Sequence, residues 1–245
     1  MDRRSTFIVS TLLSVTVCGA TAACGQAPSA CGAPPARAAD TTPFTDIDLG
    51  QRLAAGSLRA VNRTIKALEG RTNGLYVSAG EGAGVVWITG TDVGEGTIAA
   101  DVCGRDVLQE SFLGLAFHGQ DDTTYEAVYL RPFNFRAGDA TRHQHAVQYI
   151  AVPKHDWPQL RATFPEEFEN PVDASVEPTA WIPLRIVIAA TRVQVFVGSV
   201  AAAALEVRRL ADAPTGLIGL WVGNGSDGGF ANLRIARGYV PAAGK

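Results

Sequence analysis

The sequence predicts an all-β protein made of two packed antiparallel sheets. Three observations carry that prediction. Short runs rich in β-branched and aromatic residues recur at regular spacing between clusters of Gly, Asp and Pro, which is how strands and their turns are written. Several of these runs alternate residue by residue: in WIPLRIVIAATRVQVFVG, Leu184, Ile186 and Ile188 fall on one face and Arg185 and Val187 on the other. The 245 residues include 26 Gly and 13 Pro, enough to punctuate many turns, and almost no stretch has the spacing of an amphipathic helix.

The N-terminal residues stand apart from this pattern. Arg3 and Arg4 precede an apolar run over residues 7–23 that is too short and too rich in small residues to span a bilayer, so residues 1–24 are expected to be an export signal. Two processing routes compete. Thr21-Ala22-Ala23-Cys24 resembles a bacterial lipobox and would leave Cys24 lipidated, a membrane anchor in the cell envelope. Small-residue sites near Ala22 or Ala38 would instead release a soluble periplasmic or secreted protein. The Gly/Ala/Pro/Ser-rich residues 25–42 read as a flexible tether and favour the lipoprotein. A single domain is expected over residues 43–240, since all-β sandwiches often use about 200 residues or more for one core.

Within that domain, residues 57–66 alternate well enough for a first strand, although 53–65 also carry some helical spacing. Further strands are expected at 75–77, 84–88, 97–102, 112–117, 125–130, 146–152, 181–189, 193–197, 205–207, 216–222 and 229–235. Pro183 suits a strand start or an edge. The GEGAG run, Gly80 to Gly84, reads as a hairpin turn, because it precedes a strand rather than a helix and so cannot cradle phosphate. The strand rhythm breaks at 136–142 and 153–180, and long loops on a rigid scaffold are usual places for function.

Charge and cysteines exclude several classes. A net charge of −3 does not make the basic footprint of a nucleic-acid binder. Of four cysteines only Cys103 belongs to the globular part, so no disulfide framework or cysteine zinc site is implied, and Cys103 reads as a small buried hydrophobe.

Three strings carry a resemblance: FLGLAFHGQDDTTYEAVYLRPFNFR, HAVQYIAVPKHDWPQLR and GLIGLWVGNGSDGGFANLRI. Together they resemble the bacterial concanavalin A-like lectin/glucanase sandwiches, in particular the 3-keto-disaccharide hydrolase-like group and its laminin G-like relatives, over residues 75–235. The resemblance implies a jelly-roll sandwich whose concave face holds carbohydrate, either as a glycoside hydrolase on a small or modified glycoside or as a non-catalytic binding module. The two-glutamate E-x-D-x-x-E strand motif of laminarinase-like members is absent.

Sugar recognition uses flat rings against pyranose faces and planar groups that grip paired hydroxyls. Polar and aromatic residues of these types concentrate between Phe117 and Arg161. The candidate substrate-binding residues are His118, Tyr129, Arg131, Asn134, His145, Gln148, Tyr149, Trp157 and Arg161, with Tyr125 a further ring. Tyr125, Tyr129 and Arg131 share one face of their strand; Glu126, Val128 and Leu130 share the other. Among apolar neighbours Glu126 would have a raised pKa suited to a general acid, with Asp122 its candidate partner. The competing reading is a buried structural Glu126 paired with an arginine, and an Asp122 that only shapes its turn. No cofactor is expected. His143 and His145 lie on one side of a strand in this reading, but two imidazoles alone lack the third strong ligand of a zinc site. Calcium, through the laminin-like resemblance, would fall at Asp121 or Asp227.

Overall fold

A computed structural model describes residues 42–70 and 73–238. The expected signal, nearly all of the tether and the last residues of the expected domain lie outside the described residues. The chain opens with β1 (Thr45–Asp46) and a short helix, α1 (Leu49–Ala54), capped by the Asp48 carboxylate, which accepts from the Gln51 N–H at 2.9 Å. There follow β2 (Leu58–Val61), β3 (Ile65–Ala67), β4 (Gly74–Val77), β5 (Gly84–Val93), β6 (Gly96–Cys103), β7 (Leu113–Gly119) and β8 (Tyr125–Leu130). A 3-10 turn (Pro132–Asn134) and α2 (Ala140–Gln144) lead to β9 (Val147–Val152), and α3 (Trp157–Thr163) to β10 (Glu169–Asn170). The chain finishes with β11 (Ile182–Ile188), β12 (Arg192–Val197), β13 (Leu205–Arg208), β14 (Gly216–Val222) and β15 (Gly228–Arg237).

Among the described residues these strands form two antiparallel sheets. One has eight strands in the order β13-β12-β11-β6-β15-β4-β3, with β1 added to β15; the other has seven, in the order β10-β9-β8-β7-β14-β5-β2. Their facing sides make one apolar core. Leu113, Leu115 and Phe117 of β7 meet the inward residues Leu184, Ile186 and Ile188 of β11 in a single cluster, each at most 1% exposed. Burial of each such side chain is worth about 1.5–3 kcal/mol. Pro183 sits one residue into β11, as a strand start allows.

Four expectations are corrected. The first strand, expected over 57–66, is two strands in opposite sheets, broken at Asn62, whose φ of 61° turns the corner. The Gly80–Gly84 turn is a crossing rather than a hairpin, because β4 and β5 belong to different sheets; the turn between β14 and β15 crosses in the same way. Strand-turn-strand grammar fixes a reversal of direction but not the sheet that receives the next strand. Arg63, 8% exposed, holds both crossings together: it donates to the carbonyls of Gly82 at 2.6 Å and Gly223 at 2.8 Å. His143 and His145 stand in and just after α2, not on a strand. Finally, Cys103 is buried as expected, 0% exposed in an apolar cluster, but disulfide-bonded rather than free.

The outer faces of the two sheets differ in kind. On the eight-stranded sheet the outward face of β11 to β13 carries polar contacts: the Arg185 guanidinium lies 4.0 Å from the centre of the Phe196 ring, and Gln194 donates to Glu206 at 2.7 Å. The seven-stranded sheet presents aromatic rings instead, and there the hollow lies.

Candidate functional site

Strand register builds the hollow's floor. Pairing of β8 with β9 sets Tyr125 opposite Val152, Ala127 opposite Ile150 and Tyr129 opposite Gln148, all on the outer face. Pairing of β7 with β8 and with β14 places Gly114 between Tyr129 and Trp221. With no side chain at Gly114, those two rings stack across the gap, 4.5 Å between centres. The Trp221 indole N–H donates to the Tyr125 hydroxyl at 3.2 Å, and Trp87 packs edge-on to Tyr125 at 5.6 Å. The rings therefore form one platform, held edge and face. Phe112 and Phe133 continue it on one side, and the hollow above encloses about 600 Å³. Gly219 is what lets Trp87 lie flat, since a Cβ there would come within 2.9 Å of the indole and 2.7 Å of a Val85 methyl. Gly219→Val is expected to destabilise the protein by about 1–3 kcal/mol through overpacking, read as a lower urea midpoint with altered tryptophan fluorescence.

One wall is polar. Arg131, immediately after β8, is 5% exposed and donates to the His145 carbonyl at 3.0 Å, the Tyr129 hydroxyl at 2.9 Å and the Gln148 side chain at 2.9 Å. Behind it lies Glu169 of β10, 2% exposed. Arg161 grips this carboxylate with two nitrogens, Nε at 2.9 Å and an Nη at 2.7 Å. Arg131 approaches it at 3.7 Å and His145 Nδ1 at 2.8 Å, the latter a close charge contact without hydrogen-bond alignment. Burial, helped by the two guanidiniums, outweighs Glu169 and lowers the His145 pKa. Burial also pushes the Tyr129 phenol up to about 12, leaving a neutral hydroxyl. Asn134 donates to the His145 carbonyl at 3.0 Å and accepts from Arg142 at 3.3 Å. At the rim Trp157, 43% exposed at the start of α3, lies beneath the Arg161 guanidinium at 5.0 Å.

Of the residues singled out from sequence, Tyr129, Arg131, Asn134, His145, Trp157 and Arg161 line the hollow together with Tyr125. Gln148 lies behind Arg131 and is fully buried. Asp122 stands apart from the hollow's lining on the same face, where it accepts from Arg59 at 2.6 Å and from the Trp87 indole at 3.0 Å. Glu126, His118 and Tyr149 do come together, but on the opposite side of the sheet, between the layers. Glu126 accepts from the Tyr149 hydroxyl, from His118 Nδ1 and from Arg209, the last at 3.1 Å. Burial alone would push its carboxyl up, yet the bonds from His118, Arg209 and Tyr149 win and hold it below its usual value, the reverse of the shift expected from its apolar strand neighbours. His118 turns inward because the β7–β14 register slips beside it and its own φ is 51°: Phe117 and His118 both face the core.

The loop aspartates are engaged locally. Asp121 accepts from the Thr123 N–H at 2.7 Å, and Asp227 pairs with Arg105 at 2.9 Å and Tyr76 at 2.7 Å. Sequence reading missed Trp221, Phe112, Arg142, Glu169 and Arg209. Trp221 had a signal, a glycine two residues earlier on the same face; the others lie in or beside irregular segments that carry none.

These two sheets, with the hollow on the outer face of one, are the concanavalin A-like sandwich fold. The chain superposes on the carbohydrate-binding module CBM66 from Bacillus subtilis with a TM-score of 0.50 and 14% identity, covering 72% of this chain and 93% of that one. It is also similar to a Bacillus subtilis protein of unknown function with a galectin-like fold, at a TM-score of 0.53 and 10% identity over 79% of this chain and 94% of the other. No protein-family model matches the sequence, and no curated protein does.

Proposed function

We propose that this is an exported carbohydrate-binding module that holds a glycan in the hollow of its seven-stranded sheet, with Tyr125 and Trp221, backed by Tyr129, as the platform and Trp157 as the rim ring. The observation that carries this reading is the platform itself: contiguous rings on an outer sheet face, beside directional donors from Arg131, Asn134, Arg142 and Arg161. Similarity to a carbohydrate-binding module agrees with it.

Binding is favoured over glycoside hydrolysis by the placing of the carboxylates. Hydrolysis uses two carboxyl groups flanking the scissile bond, about 5–10 Å apart. Glu126 lies behind the sheet, Asp122 is tied to Arg59, and Glu169 is clamped by arginines. The carboxylate on the hollow's wall is Asp156, which caps α3 by accepting from the Trp157 N–H at 2.7 Å. The disulfide at Cys103 supports export, since such bonds persist in oxidising compartments. Among the described residues no helix is long and apolar enough to cross a membrane. Envelope attachment through lipidation at Cys24 is part of the proposal.

Titration calorimetry with an oligosaccharide panel tests the proposal. Trp157→Ala, at an exposed position, is expected to weaken binding roughly 30-fold, the effect of about 2 kcal/mol, with its melting temperature nearly unchanged. Absence of binding by any glycan would overturn it, and release of reducing sugar by the wild type would replace it with the hydrolase reading.

A further inference from the structure

The hollow's polar wall is rich in donors and poor in acceptors. Neutral sugars present hydroxyls, each a donor as well as an acceptor, and sites for them balance carboxylates and amide oxygens against N–H groups. Here three arginines, Arg131, Arg142 and Arg161, stand against two carboxylates, Asp156 and the buried Glu169, in a chain whose net charge is −3. The guanidiniums of this wall therefore outnumber its carboxylates by one. Apart from Asp156, which accepts from the Trp157 N–H, the acceptors are also spent. Glu169 is taken up by Arg161, Arg131 and His145, Gln148 accepts from Arg131, and Asn134 accepts from Arg142.

The donors are not spent. Arg161 uses Nε and Nη2 on Glu169, and Arg142 uses Nε on Asn134 and Nη2 on the Phe133 carbonyl at 3.0 Å. The Nη1 group of each makes no hydrogen bond to the described residues, and both side chains reach solvent at the hollow. Their planes are fixed by those same bonds and, for Arg161, by the Trp157 ring. A guanidinium held in this way is pre-set for a planar carboxylate.

We propose that the glycan is acidic: a uronic acid residue rests on the aromatic platform and its carboxylate is held by Arg142 and Arg161. This rests on the hollow being a carbohydrate site and specifies what that site selects. Asp156, on the same wall, discriminates against a carboxylate placed at its own end and so sets the direction in which the sugar lies.

The experiment compares oligosaccharides of galacturonic, glucuronic and mannuronic acid with their methyl esters, which keep the ring and remove the charge, on the full chain by calorimetry. At least one free acid is expected to bind tenfold or more tightly than its ester, with the advantage shrinking as salt is raised. Arg142→Gln, at an exposed position, should remove most of that advantage, lowering affinity for the acid far more than affinity for its ester. Arg161→Lys keeps a cation for Glu169 and should reduce the advantage without unfolding the protein. Equal affinity for acid and ester, or binding of neutral glycans alone, overturns the acidic assignment and leaves the carbohydrate site standing. Tighter binding of sulfated oligosaccharides than of uronates overturns the carboxylate assignment. Failure of every glycan overturns the carbohydrate reading itself.

Discussion

Glu126→Gln is expected to cost about 3–5 kcal/mol of folding stability and to leave glycan affinity unchanged. The carboxylate is fully buried and neutralises Arg209, whose side chain is 8% exposed; removing one member of such a pair strands the other charge in the interior. Arg209 follows β13 of the eight-stranded sheet, whereas Glu126 lies on β8 of the seven-stranded one, so the ion pair ties the two layers at one end. Urea denaturation measures the loss, and a double variant with Arg209→Met should recover part of it. The pair also has a pH signature. Because His118, Arg209 and Tyr149 hold the folded carboxyl below its ordinary value of 4.5, against the opposing push of burial, its contribution is present above that value. It is lost as pH falls through the lower folded value, where the carboxylate takes up its proton. The wild type should therefore lose stability more steeply than the variant in acid. Full stability in the variant, together with loss of a glycosidase activity, would instead return Glu126 to chemistry.

Glu169→Gln is the second large effect, and it should damage fold and binding together. This side chain is the shared anion of Arg131, Arg161 and His145. Its loss leaves the Arg131 guanidinium, whose pKa burial already lowers, without a counter-charge. A cost of about 3 kcal/mol is expected, again from an unpaired interior cation. Arg161 also loses the two bonds that fix its plane over Trp157, so glycan affinity should fall even in protein that remains folded, read by calorimetry at a temperature well below the melting point. A variant that binds normally would show that the rim needs no such anchor.

Much of the sandwich was legible because alternation is a local property. Leu184, Ile186 and Ile188 declare their face without reference to anything else in the chain. Alternation also separated Tyr125 and Tyr129 from Glu126, and the structure keeps that separation: rings outside, carboxylate inside. Applied with equal strictness it would have parted Gln148 from Tyr149, which are neighbours on β9 and face opposite ways. His118 could not have been placed by this rule, because a register slip reversed it. Glu169 and Arg209 were beyond reach for another reason. Each gains its role from a partner brought near by sheet order, and sheet order is decided by crossings that a single sequence does not display.

Arg63 gives the hollow a mechanical character. Its guanidinium fastens the Gly80–Gly84 bend to the one beginning at Gly223, and Ala83, Gly223 and Asn224 form the lip on that side. Gly82 N–H to Asn224 at 2.8 Å and Gly225 N–H to Gly80 at 2.9 Å add two more rivets. A guest thus meets a socket whose shape was cast during folding, and little motion remains to be frozen when it arrives. Selectivity in such a socket comes from fit and charge rather than from closure around whatever enters.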